Sequence, residues 1–560
     1  MRVLSLLKNN RGVAIVAVAL LMVVGAILGA AVISQTTLDV QHADRTLNAK
    51  QELYLAESAK ERAYREIMLD DTFANGGTMS DVPFAGGTYD ILVTTLTPDP
   101  LVVEIQATGD MRMPGNTDPN QRRRRVTVVS EVIRENVCVW NNAIFGGSGQ
   151  TGGVVNGNCA IHGSVHLLGD NVGSGNSSIE ALDLSGSALV HNNYEGMPPE
   201  LRALIPDPPT NEDGLETLNA KLRVKNGAVG VSGSSEIGQD QAPLTPLGLK
   251  GPMDGIYIET DDTETRWTGN QVVDGVPDPD NVQSDNGTEA LYDLGDMVQM
   301  PDIGTGVAYE SEYCDATYAD YDAFFLNEAL TIPFSLDLDG TNAAALEVQA
   351  QAGAFGAGVV VNVDPVTGIF TISQSHPCPG DPDVAEWGGV NSITYNPNSA
   401  PGQSSLTISG MVNIQGDLVI GEKGSTTDLK YSGTGTIYVS GSGSAAGDIM
   451  VHSDVLPVTQ FPEVDVLGLV AKNKITLAGP GDANLMLAGA FFGQNEIIST
   501  KQNQIAGTFV TQYFDMGTNV PKIYQVPLLA DNLPPGLPGA NPIWVVTGFE
   551  ERSWRVDMVP

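Results

Sequence analysis

From Val13 to Ile33 the chain runs for 21 residues without a charge or a strongly polar side chain. A helix of that length rises about 30 Å, the thickness of the hydrocarbon core of a bilayer. It has no polar face, so it is not the amphipathic helix of a soluble core. Arg2, Lys8 and Arg11 precede the run, and Asp39 and Asp44 follow it. That asymmetry predicts one membrane pass with the N-terminus in the cytoplasm and a large body outside. A secretion signal would have a shorter apolar region followed by a small-residue cleavage site. Here the cut is expected before the run, where Gly12 lets a protease approach the backbone.

The helix does not stop at the membrane. "LDVQHADRTLNAKQELYLAESAKERAYREI" contains neither Gly nor Pro and is dense in helix formers. Leu53, Ala56, Ala59, Ala63 and Ile67 recur at three- and four-residue steps, which marks one buried stripe. A single helix over 13–68 is expected, apolar in its first half and amphipathic in its second. A plain anchor has no reason to continue in this way.

The basic leader, "RGVAIVAVALL" and "YLAESAKERAYREI" resemble the N-terminus of type IV pilins, in particular the PilX-like minor pilins. The resemblance implies cleavage between Gly12 and Val13 by a prepilin peptidase, leaving Val13 as a methylated N-terminus. It also implies that Val13, Ala17, Leu20, Leu21, Leu28 and Ile33 lie first against inner-membrane lipid and then among the helices of other pilins. One position departs from the family pattern. Major pilins carry a glutamate as the fifth mature residue, and here that residue is Ala17. In the family that carboxylate neutralises the terminal amine of a neighbouring subunit, a charge that would be costly unpaired in an apolar filament core. Ala17 therefore points to a rare, initiating or tip subunit, although an ordinary anchor would tolerate it too.

A chain of 560 residues is too long for one core. After the leader (1–12) and the helix (13–68), 69–135 reads as a short antiparallel meander. Its strands are "GGTYDILVTTL", "LVVEIQATGDM" and "RRRRVTVVSEVIRE". In 136–197, short apolar pieces such as Val154-Val155, Val165 to Leu168 and Leu182 to Leu184 alternate with Gly, Asn and Ser. The same texture returns in 398–525, as in "LTISGMVNIQGDLVIG" and "KITLAGPG". Such pieces suit a parallel β-solenoid in two parts, each coil resting its inward Ile, Leu or Val on the next. No strict period emerges, so an irregular sandwich stays open. Between the two parts, 198–397 reads as an inserted α/β and loop region, with helices expected near Asn211 to Lys225 and Ala316 to Leu330. The Pro-rich 526–560 reads as a closing segment whose last strand caps an open edge of the body. The fold class is α+β: a long pilin-like helix, a small meander and a mostly β body.

Net charge is −39 with a pI of about 4.2, which argues against nucleic acid or an anionic lipid surface as the main partner. Loss of the leader would remove three more cations. The acidity suits solubility of an exported body, or a surface that collects divalent cations. Arg122 to Arg125 form the strongest basic run. Alternate strand residues face opposite sides, so at most half of the run can line one patch. It either balances acidic neighbours or docks an acidic partner.

The four cysteines, Cys138, Cys159, Cys314 and Cys378, form no C-x-x-C pair, which disfavours zinc. In an exported body Cys138–Cys159 and Cys314–Cys378 are the sequence-nearest disulfides, with free buried thiols as the alternative. His162 and His166 could share a strand face as metal ligands or serve as a structural pair. "DLDGTN" (Asp337 to Asn342) and "DPDNVQSDNG" (Asp278 to Gly287) offer oxygen ligands for Ca2+ without EF-hand spacing. No other cofactor is expected. There is no G-x-S-x-G elbow, Gly421 to Thr427 lacks phosphate-loop spacing, and no carboxylate pair stands out as a glycosidase pair.

The expectation is a non-enzymatic, minor-pilin-like subunit acting in filament initiation, tip assembly or adhesion. Its partners would be other pilins, prepilin peptidase, inner-membrane lipid and an unidentified surface ligand. It would reside in the inner membrane and then in a periplasmic or extracellular filament. Two rivals share features with it: a pseudopilin of a type II secretion system, and an anchored solenoid that binds or cleaves polysaccharide.

Overall fold

The computed structural model describes residues 10–98, 100–111, 123–149, 160–170, 180–211, 213–239, 248–259, 266–340, 343–516 and 521–559. Most of the leader, Arg122, Val154-Val155, Cys159, Thr341 and Asn342 lie outside those residues. Contacts divide the chain into two units. One comprises Met1–Glu135 with Trp544–Pro560, and the other Asn136–Ile543.

The first unit is built on α1 (Asn10–Leu69), an unbroken helix of 60 residues. Its second half turns Leu55, Ala56, Ala59, Ala63 and Ile67 inward, each at most 3% exposed. They meet a five-stranded sheet ordered β1 (Thr78–Phe84), β2 (Gly87–Pro98), β3 (Leu101–Asp110), β4 (Arg123–Asn136) and β5 (Trp544–Val559). Tyr89, Ile91 and Val93 alternate along β2 and pack with Ala59, Ala63 and Ile67 in one core. Gly109 of β3 lies directly under the helix. A Cβ there would run into the Glu52 carbonyl oxygen and come within 2.8 Å of the Ala56 nitrogen. Only glycine permits so close an approach of helix to strand.

The sequence readings gave β2, β3 and β4; the structure adds a strand at each edge. β5 corrects the reading of the tail. Residues 544–559 pair beside β4 in the first unit and do not close an edge of the body. Phe549 stacks on Tyr64 with ring centroids 4.2 Å apart, and Arg552 pairs with Glu131. Those contacts commit the strand to this sheet.

The second unit is large and mostly β, and its main ladders are parallel. One apolar row runs through it in register: Ile256, Leu222, Val165, Ile144, Phe509, Phe491, Leu469, Ile437, Val412 and Leu330. Every member is at most 1% exposed, so each rung's burial depends on its neighbours. The order along the row is not the order along the chain. The chain enters at Ile144 in the middle, runs out to Ile256, reappears at the far end with Leu330, and returns to Phe509 beside Ile144. Entry and exit are consequently adjacent: the Val137 N–H donates to the Ile543 carbonyl at 2.8 Å, and the Trp140 indole donates to the Pro538 carbonyl at 2.8 Å.

The stretch 198–397 is thus not a separate insertion, because it supplies rungs at both ends of the row. Lys221–Val224, expected within a helix, is a strand. Leu222 and Val224 fill core positions there, and tertiary pairing overrides a weak local helix preference. The other expected helix is shorter than the reading, Tyr321–Glu328, capped by the Asp320 carboxylate, which accepts the Ala323 N–H at 2.8 Å.

Candidate functional site

The apolar half of α1 is bare within this chain. Ile15, Leu20, Leu21, Leu28 and Ile33 are 60–71% exposed, and the most apolar window of the helix buries nothing against the rest of the molecule. Gly12 and Val13 lie in its first turn. Ala17 sits on the exposed surface, and no acidic residue precedes Asp39 along the helix. An apolar surface of this extent is unfavourable in water and fits a membrane anchor or a signal segment. Gly25 and Gly29, which the sequence reading passed over, are four residues apart, and a Cβ at either would meet nothing within 4 Å. That spacing allows a neighbouring helix to come close.

The polar half of α1 is fastened to the sheet. Lys60 Nζ lies 2.8 Å from Glu551 Oε1, and the Tyr64 hydroxyl shares a 2.6 Å hydrogen bond with the buried Ser130 hydroxyl. Burial pushes the Tyr64 phenol up to about 12, and the Lys60 ammonium holds Glu551 below the usual carboxylate range. Rod and sheet therefore form one mechanical piece.

The chemistry-bearing groups singled out from sequence mostly have structural partners. Cys314 and Cys378 form a disulfide with Cα atoms 5.7 Å apart. Cys138 is buried, and its expected partner Cys159 lies outside the described residues. Cys314, His376 and Cys378 have ligand atoms within 4.8 Å of one another, but the two sulfurs are bonded together. His376 faces Glu328 at 3.5 Å in the core.

Arg123 pairs with Asp90 at 3.5 Å, and Arg125 donates to the Thr108 hydroxyl at 3.2 Å, so these members of the basic run serve their own sheet. His162 and His166 occupy different ladders and do not converge. His162 stacks on Tyr524 at 4.6 Å, whereas His166 meets Phe145 edge-on and bonds the Tyr292 hydroxyl at 2.8 Å. Burial pushes both imidazoles down to about 3.

In the first calcium candidate, loss of hydration and the nearby Asp339 and Glu347 push Asp337 up to about 6. In the second, Asp285 pairs with Lys250 at 2.8 Å, and Asp278 accepts the Asp280 N–H at 3.0 Å.

No family model matches the chain, and no curated protein sequence does. Among solved structures it is similar to the crystal structure of the competence-associated pilin ComZ from Thermus thermophilus, with a TM-score of 0.52 and 17% identity. The match covers 91% of this chain and 98% of that one. At that identity the likeness is one of fold: a pilin-like long helix with a large, mostly β body.

Proposed function

We propose that this chain is a minor-pilin-like subunit of a type IV pilus or a related filament, of the PilX-like kind. In this reading prepilin peptidase cuts between Gly12 and Val13, and α1 passes from inner-membrane lipid into the packed helices of sibling subunits. The observation that carries it is the rod itself, bare and apolar for half its length and locked to a sheet for the other half. Lipid tails and apolar helices are similar solvents for such a surface, so exchanging one for the other costs little, and close packing decides the outcome. The pilin-like fold supports a pilus-related role.

Ala17 gives the finer placement. Lacking the carboxylate that would neutralise a neighbour's amine, the subunit suits an initiating or tip position better than the repeating shaft. The body would then project as the adhesive end, without catalysis. Its continuous parallel row is best read as the coils of a β-solenoid, in which no coil is stable alone.

Mass analysis of the mature N-terminus, in cells with and without prepilin peptidase, tests this reading. The expected result is a chain beginning at methylated Val13 only when the peptidase is present, recovered in sheared filaments. A chain that keeps Met1 in peptidase-positive cells and is missing from purified filaments would refute it.

A further inference from the structure

Beside the apolar row, a second parallel ladder presents a side-chain face. Ile505, Ile523, Ile161, Val190 and Ile237 stack inward in register. The alternate positions point the other way. One outward row is Gln504, Lys522, Ala160, Leu189 and Glu236, on five successive rungs. A parallel row of rings, Tyr524, His162 and His191, lies two residues along. Over these rows lies a cavity of about 740 Å³, with Glu195 and Gln239 among the residues on its rim. Rungs repeat at about 4.8 Å, so the row is about 19 Å long, and it runs across the strands.

We propose that this groove binds a neutral oligosaccharide lying along the ladder axis. The lining is a run of groups that can each meet a hydroxyl: the Gln504 amide, the Lys522 ammonium and the Glu236 carboxylate. Ala160 and Leu189 form an apolar strip between them, suited to the C–H face of a sugar ring. The walls are held in place. The Tyr524 hydroxyl donates to the Gly196 carbonyl at 3.1 Å and to Gln504 Oε1 at 3.3 Å, and Gln239 donates to Glu195 at 2.8 Å. His191, which lines the cavity, is 3% exposed, and among the described residues neither of its ring nitrogens has a hydrogen-bond partner. A neutral imidazole carries one donor and one acceptor, and leaving both unmet in a buried place is costly. A ligand rich in hydroxyls supplies the matching groups.

Other ligand classes fit less well. An extended peptide adds to a sheet through a free edge, and here the main chain on both sides of the central rungs is already taken up in the ladder. A polyanion would meet Glu195, Glu236 and a chain of net charge −39. A divalent cation would find two carboxylates on different elements, one of them already accepting from Gln239.

The proposal goes beyond the filament reading and needs only the folded body, so either can fail without the other. The test is calorimetric titration of the detergent-solubilised full chain with neutral hexasaccharides: β-1,4-glucan, α-1,4-glucan, β-1,4-mannan and chitin oligomers. Hexagalacturonate serves as the anionic comparison. At least one neutral probe should bind with a Kd below about 1 mM. Gln504→Ala and Glu236→Ala should each weaken it by about tenfold or more. Ser234→Trp, at an exposed rim position, should block it by bulk with an unchanged melting temperature. No binding by any neutral probe, tighter binding of the uronate, or unaltered binding in folded Gln504→Ala and Ser234→Trp proteins would each overturn the proposal.

Discussion

His191 offers a direct measure of how the body's core responds to acid. Burial pushes its imidazole down to about 4, against an ordinary value of 6.5. Above pH 6.5 it is neutral in both the folded and unfolded states, and its contribution to stability is fully present. As pH falls below 6.5 the unfolded chain takes up a proton that the folded chain refuses, so stability is lost. The loss runs at about 1.4 kcal/mol per pH unit and is complete near pH 4, for a total of about 3 kcal/mol. Between pH 7.5 and pH 5 the share is about 2 kcal/mol.

The wild-type curve also contains other groups. His162 and His166 act in the same sense. Asp337 and Asp454, both pushed up to about 6, act in the opposite one, since the folded state binds their protons first. The difference between wild type and His191→Leu isolates what depends on His191, its own titration together with its share in holding His162 down. Urea unfolding of the solubilised chain can be followed by the emission of Trp140 and Trp267, which are 0 and 2% exposed and report the body's own transition. The variant should gain about 2 kcal/mol on wild type as pH drops from 7.5 to 5. Parallel curves, within about 0.5 kcal/mol over that range, would refute the reasoning.

Gly109→Leu should destabilise the helix-and-sheet unit by about 1–3 kcal/mol through overpacking against the Glu52 and Ala56 backbone; thermal unfolding monitored by helix content reads it. Replacing both Cys314 and Cys378 by serine releases a cross-link spanning 64 residues and should cost the body about 4 kcal/mol on the chain-entropy account. Urea titration of the double variant against oxidised wild type checks that figure, and reduced wild type should match the variant. Ala17→Glu restores the carboxylate that the proposed tip position lacks, so quantitative mass analysis of sheared filaments should find several-fold more of this chain per filament; an unchanged ratio would count against the tip placement.

What the sequence made legible was local. The rod follows from an uncharged run and a stripe at three- and four-residue steps, and β2 to β4 follow from alternation within each segment. β5 was misassigned because the whole second unit separates it in sequence from its partner β4, and no local signal names a distant edge. Lys221–Val224 misled for a similar reason, since its neighbours in the row come from distant segments. The stacking order that sets Ile144 beside Phe509 is a property of the assembled row and has no trace in either segment. The groove had a faint signal that went unused. "AIH", "LVH" and "KIY" are three short strands, and each ends in an apolar residue followed by a ring. Read together, they place His162, His191 and Tyr524 on one line.

The adjacency of Val137 and Ile543 has an architectural consequence. Because the polypeptide arrives and departs at mid-row, neither terminus of the row carries the unit's entry or exit. Rungs added or removed beyond Ile256 or Leu330 would resize the second unit without altering the strands at which the chain enters and leaves it.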